Sequence, residues 1–168
     1  MFKTWRERRS ERRRRQGIAD EQLAQDVRAR SREIVQEIVA PLEQAGAARI
    51  DWDEPDSPRY ADGAIDVLPA RSDAAPVSIM PGSDWITLAA GTGNLEISID
   101  QKGEWAEHLR CALEAIVTGR YREICTQGAV SGRLKMVFEI PGKEDLVSKY
   151  YTDFDETDLG EHEYMPYR

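Results

Sequence analysis

Residues 84–100 read DWITLAAGTGNLEISID, and no other stretch restricts the fold as much. Ile86, Leu88 and Ala90 recur at every second position of one arm, and Leu95, Ile97 and Ile99 at every second position of the other. Successive strand side chains point to opposite faces, so each arm has one apolar face, with Glu96, Ser98 and Asp100 on the other. Three residues with two glycines, Gly91-Thr92-Gly93, join the arms, which is the signature of a β-hairpin. Strands joined by hairpins need no crossover helix, so the pattern predicts an antiparallel sheet.

A second alternation lies in SGRLKMVFEI, where Leu134, Met136, Phe138 and Ile140 alternate with Arg133, Lys135, Val137 and Glu139. It predicts a half-buried strand preceded by RYREICTQ across a glycine-containing turn. Earlier in the chain, AARIDWD (47–53), AIDVLPA and PVSIM (76–80) read as short strands. EPDSPRYADG separates the first two as a loop with an edge strand about Tyr60. DLVSKYYTDF gives a short last element.

Two segments carry helical spacing instead. Ile18, Leu23, Val27, Ile34, Val35, Ile38, Val39 and Leu42 form one apolar stripe, with Asp20 as its N-cap, Pro41 kinking or ending the last turn, and Gly46 as the stop. The arginine-rich residues upstream continue this helix or form a separate arm. Gly103 opens the second helix, Trp105, Leu109, Ala112, Leu113, Ile116 and Val117 make its buried stripe, and Gly119 closes it. The order predicts an α+β fold, an antiparallel sheet with both helices packed on one face. Residues 1–16 are expected to form a basic arm, 17–151 a single domain, and 152–168 an acidic tail that frays. With 168 residues, 40% of them hydrophobic, the chain is long enough for one real core.

Charge is distributed unevenly. Residues 1–15 hold eight Lys and Arg against two Glu, a net of +6, within a chain of net charge -8. The remainder therefore carries -14, and TDFDETDLGEHE (152–163) holds six acids and no Lys or Arg. No apolar run follows the basic start, so the reading rejects an export signal and expects a cytoplasmic protein. Cys111 and Cys125 are too few and too far apart for a disulfide scaffold or a zinc site, and are expected to be reduced structural residues.

Few residues offer chemistry. His108 lies one residue before the buried Leu109, either as a partly exposed helix residue or lining a shallow cleft. Cys111 shares a helix face with it but lacks the helix N-terminus that lowers a thiol pKa, so core packing is the expectation. His162, with Glu161, Glu163 and Asp158, has no fixed geometry to hold a metal. The glycines of AAGTGN precede a strand rather than a helix, so they make a turn and not a phosphate cradle. The reading assigns no catalytic residue, no cofactor and no metal.

Two binding surfaces remain. Asp51, Asp53, Glu54 and Asp56 surround Trp52, with Tyr60 nearby, a mixture suited to gripping a protein with a basic surface. Arg6, Arg8, Arg9, Arg12, Arg13, Arg14 and Arg15 could neutralise nucleic-acid phosphates, although a body of -14 repels the same polyanion. The preferred expectation is a non-catalytic macromolecule-binding protein, such as an immunity-type neutraliser of a cationic protein. The alternatives are a nucleic-acid-associated accessory protein using its arginine arm, or an enzyme with a pocket built from the sheet, Trp105 and His108. A homo-oligomer is compatible with any of these.

Overall fold

The computed structural model describes the backbone of residues 5–52, 63–100, 102–127, 132–152 and 159–168, and side chains from residue 20 onward except 150–152. The fold is α+β with two helices and antiparallel strands, as the periodicities predict, but the strands divide between two sheets. Helix α1 (Trp5–Gln44) leads into strands β1 (Ala48–Trp52), β2 (Ile65–Pro69), β3 (Val77–Pro81), β4 (Trp85–Ala90) and β5 (Gly93–Ser98). These form one sheet in sequence order, β1-β2-β3-β4-β5. Helix α2 (Glu104–Val117) then precedes β6 (Tyr121–Gln127), β7 (Gly132–Phe138), β8 (Leu146–Thr152) and β9 (Gly160–Glu163), which form the second sheet in the order β8-β7-β6-β9.

The apolar stripes of the helices meet the inner faces of the strands in one core. Val27, Ile34, Val35 and Val39 of α1 and Leu109, Leu113 and Ile116 of α2 pack with Ile65, Ile79, Ile86, Leu88, Met136 and Phe138. Leu23 falls outside this core, being 45% exposed. Asp20 lies within α1 rather than at its start, because the helix continues through the arginine block to Trp5. Pro41 is accommodated inside the final turn, where Ala45 N–H still reaches the Pro41 carbonyl at 3.2 Å. Both helices close with paired backbone bonds at Gly46 and Gly119, as the glycine positions predict.

The hairpin is tighter than its sequence implies. Ala90 pairs directly with Gly93, so the connection has two residues, Gly91 and Thr92, rather than three. Gly91 has φ 59°, which a two-residue turn requires at its first position. A side chain there would also overlap Tyr164 Oη and Glu123 Oε1.

That second obstacle marks the joint between the sheets. Glu123 of β6 is 1% exposed, and its carboxylate accepts from Thr92 N–H (2.9 Å), Gly93 N–H (3.0 Å), Thr92 Oγ1 (2.8 Å), Tyr121 Oη (2.7 Å) and Tyr164 Oη (3.0 Å). Tyr121 also donates to the Ala90 carbonyl at 2.9 Å. The turn of the first sheet is thus held by a buried side chain of the second. Tyr121 is stacked on Tyr164 with 5.3 Å between ring centroids and lies 4.9 Å from Phe138.

The C-terminal residues are docked, not frayed. Strand β9 pairs with β6, placing His162 opposite Glu123 and Glu161 within 3.0 Å of Arg122. Beyond it, Met165 N–H bonds the Asp73 carbonyl (3.1 Å) and Tyr167 N–H the Val117 carbonyl (3.0 Å). Tyr167 is 1% exposed and donates from Oη to the Ala75 carbonyl at 2.6 Å. Acidic composition concealed an aromatic anchor that outweighs it, since burying a tyrosine with its hydroxyl satisfied removes a large apolar surface from water.

Two outcomes test this core. Glu123→Ala leaves the turn amides and the Tyr164 phenol without their acceptor, while Tyr121 keeps the Ala90 carbonyl, so it should destabilise the fold by about 3–5 kcal/mol in denaturant titration, given the scale of hydrogen bonds to charged groups.

Burial raises the Tyr167 phenol pKa, and burial with the adjacent Glu123 charge raises that of Tyr164, both well above the usual value. An unfolded tyrosine ionises near pH ~10, so above that pH the unfolded chain sheds protons the folded chain keeps. Stability from these residues is therefore intact below pH ~10 and declines as pH rises beyond it. Absorbance at the tyrosinate band should show two tyrosines that ionise only as the chain unfolds.

Candidate functional site

The free edge of β5, the first turns of α2 and the start of β8 enclose a cleft of about 360 Å³. Its floor is apolar, with Ile97 and Trp105 buried and Leu95 and Leu146 half-buried. Glu96, Asp100 and Glu104 supply three carboxylates around it, and among the described residues the lining includes no Lys or Arg. Ser98 and the exposed His108 complete the wall.

Local sequence explains how these groups converge. The hairpin alternation turns Leu95 and Ile97 toward the core and Glu96 and Ser98 away from it. The chain then enters α2 within a few residues, and Asp100 Oδ1 accepts the Trp105 N–H at 3.3 Å, satisfying one of the unpaired donors at the helix start. Glu104 and Glu107 in the first turn favour the positive end of the helix dipole.

The register also orients the backbone of β5. The Ile99 N–H donates to the Asp84 carbonyl at 2.8 Å, and in an antiparallel ladder such bonded pairs recur at every second residue. Leu95 and Ile97 therefore bond to β4, while the peptide groups of Asn94, Glu96 and Ser98 face the free edge. The Asn94 carbonyl accepts Ser148 Oγ at 3.2 Å, as this orientation requires. From Glu96 to Ser98 the edge lines the cleft.

The other sequence candidates are elsewhere. Asp51 lies on β1 and pairs with Arg49 at 2.7 Å. Trp52, 39% exposed, has the Arg32 guanidinium 5.8 Å from its ring centroid. Asp53, Glu54, Asp56 and Tyr60, including the edge strand expected there, lie outside the described residues. Strands β1 and β5 occupy opposite edges of the five-stranded sheet, so Asp51 and Trp52 lie on a different edge from the cleft. Arg6, Arg8, Arg9, Arg12, Arg13, Arg14 and Arg15 belong to the N-terminal part of α1.

Cys111 is half-buried and lies 3.6 Å from Glu107 Oε1, which also accepts from Lys143 Nζ at 2.8 Å. Burial first, and then the Glu107 charge, push its thiol pKa up, so it is not an activated nucleophile. Cys125 is buried. Among the described residues no group of three or more His, Cys, Asp and Glu is placed to hold a metal ion, and no helix is long and apolar enough to cross a membrane.

The cleft unites Trp105 and His108, which the sequence already singled out, with Glu96, Asp100 and Glu104, which it did not. Their signal was present in the alternation, which put Glu96 and Asp100 on the face away from the core. What periodicity could not show was that β5 ends the sheet. No protein-family model matches the chain, and comparison with curated proteins and with solved structures found no match.

Asp100 has two separable roles, acceptor and charge. Asp100→Ala should cost about 0.5–2 kcal/mol in thermal or denaturant unfolding, the range for losing a helix N-terminal acceptor. Asp100→Asn keeps an acceptor and should recover most of that stability.

Proposed function

We propose that this chain is a binding protein for a cationic protein partner and works as an immunity-type neutraliser by covering the partner's basic surface. The cleft carries this reading, because three carboxylates border an apolar floor with no Lys or Arg among the described residues of its lining. Opposite charge accelerates encounter by steering, and apolar contact in a desolvated centre slows dissociation. Both components occur in one concavity. The -14 carried by residues 16–168 extends the same field beyond it, and Asp51 and Trp52 add an acid and an aromatic at the opposite edge of the sheet.

A second reading, nucleic-acid contact, is favoured by the arginine block lying on helix α1, whose regular backbone carries seven arginines within ten residues. It is tested by deleting residues 1–16 and measuring nucleic-acid retention. An enzymatic role for the cleft would instead rest on His108, and the sign of it would be an activity that His108→Ala abolishes in a folded protein.

The binding reading is tested with the partner recovered by the full chain from its source cell. Glu96→Lys with Glu104→Lys should lower the association rate by at least about tenfold at low salt. That deficit should shrink at physiological ionic strength, where the Debye length is about 8 Å. Leu146→Ala should chiefly accelerate dissociation and leave the salt dependence unchanged. Equal kinetics for all variants would remove the cleft from the interaction.

A further inference from the structure

The two edges of the five-stranded sheet are treated differently. At the β1 edge, the Ile50 N–H turns away from β2 and is taken by Glu43 Oε1 at 2.8 Å. At the β5 edge, Ser148 occupies the Asn94 carbonyl, and the cleft lies beside Glu96–Ser98, with Leu146 of β8 in its lining. Among the described residues no strand pairs with that side of β5. An unpaired edge is a template for another strand, and proteins generally protect it. Here one edge is capped and part of the other opens into a cleft with apolar and acidic walls.

We infer that the free edge of β5 from Glu96 to Ser98 binds an extended segment of the cationic partner as an added β-strand, with basic and apolar side chains in alternation. The inference rests on the binding reading above and specifies its mode. Glu96 and Ser98 each offer one outward N–H and one outward C=O, the four groups a short added strand needs for main-chain pairing. A strand lying about 4.8 Å from β5 shares its pleat. Its residue opposite Ile97 points to the floor made by Trp105 and Leu146. Its residues on either side point with Glu96 and Ser98, where a lysine or arginine meets Glu96, and Asp100 and Glu104 add further negative charge at the cleft. The order basic–apolar–basic follows from the alternation of the edge itself. The cleft's 360 Å³ suits about three residues, given a rise of about 3.3 Å each along a strand.

The test uses the full chain and an acetylated, amidated pentapeptide, Lys-Val-Lys-Val-Lys, with a second peptide N-methylated at its central residues. Binding of the first should slow hydrogen exchange at the Glu96 and Ser98 amides, read residue by residue by NMR. The N-methylated peptide should bind at least about tenfold more weakly, because main-chain donors are gone while charge and side chains remain.

Ser98→Pro removes an outward N–H without touching the β4 ladder, and should weaken the first peptide by a similar factor. Glu96→Lys with Glu104→Lys should also weaken it. If charge reversal weakens binding while N-methylation, Ser98→Pro and amide exchange have no effect, strand addition is wrong and the acidic cleft stands. If the peptide does not bind at millimolar concentration, or binds regardless of charge reversal, both readings fall. The exchange and N-methylation measurements use the unaltered chain, so they decide the matter even if Ser98→Pro does not fold.

Discussion

The buried carboxylate of Glu123 is the contact on which the relation between the two sheets depends. A carboxylate taken out of water is costly unless donors replace its hydration, and here five converge on it. Two are backbone amides at the tip of the β4–β5 hairpin, so the bond network fixes the loop itself, not merely a side chain near it. The tight turn and the absence of a side chain at Gly91 then become one requirement, because the carboxylate and the Tyr164 hydroxyl occupy the space a Cβ would fill. Tyr164 in turn follows β9, and the chain beyond it is pinned through Tyr167 to the Ala75 carbonyl. Hairpin, second sheet and C-terminus form one connected polar network within the apolar core.

How much of this was legible follows from which signals periodicity carries. The hairpin arms and the α2 stripe were legible, because each buries one face against a continuous core and its apolar residues repeat at the matching period. In β6 the pattern inverts: Glu123 faces inward between Tyr121 and Cys125, while Ile124 takes the half-buried opposite face. A rule that sends charge outward cannot find such a residue, because its burial is justified only by donors far away in sequence. The C-terminal end misled for a related reason. Glu161 and Glu163 are exposed on β9, whereas the aromatic residues that anchor it, Tyr164 and Tyr167, give no periodic signal. The division into two sheets was equally hidden, since strand spacing in sequence is the same whether the strands join one sheet or two.

The site inherits this limit. Glu96 and Asp100 were readable as outward-facing, and Trp105 and His108 as neighbours on a helix, but the cleft exists only because β5 is an edge and Leu146 of β8 and the first turns of α2 stand beside it. The position of β5 is set by the Glu123 clasp at the hairpin tip, where Gly93 lies about 17 Å along the strand from Ser98 at roughly 3.3 Å per residue. Structural and candidate binding residues therefore sit at opposite ends of one strand. The clasp holds the edge rigidly in place, and rigidity at a strand-pairing surface reduces the ordering cost of association.

The arginine block, which looks out of place on an acidic chain, acquires a physical setting from the length of α1. The helix has 40 residues and rises about 1.5 Å per residue, so it extends about 60 Å in all. Val27 is the first buried residue among its described side chains, twelve positions after Arg15, or about 18 Å along the axis. That exceeds the Debye length of about 8 Å at physiological salt, and helical backbone cannot fold back on itself as a flexible arm would. Between those two positions the backbone is continuous helix, so the Arg15 and Val27 positions are held about 18 Å apart along the axis.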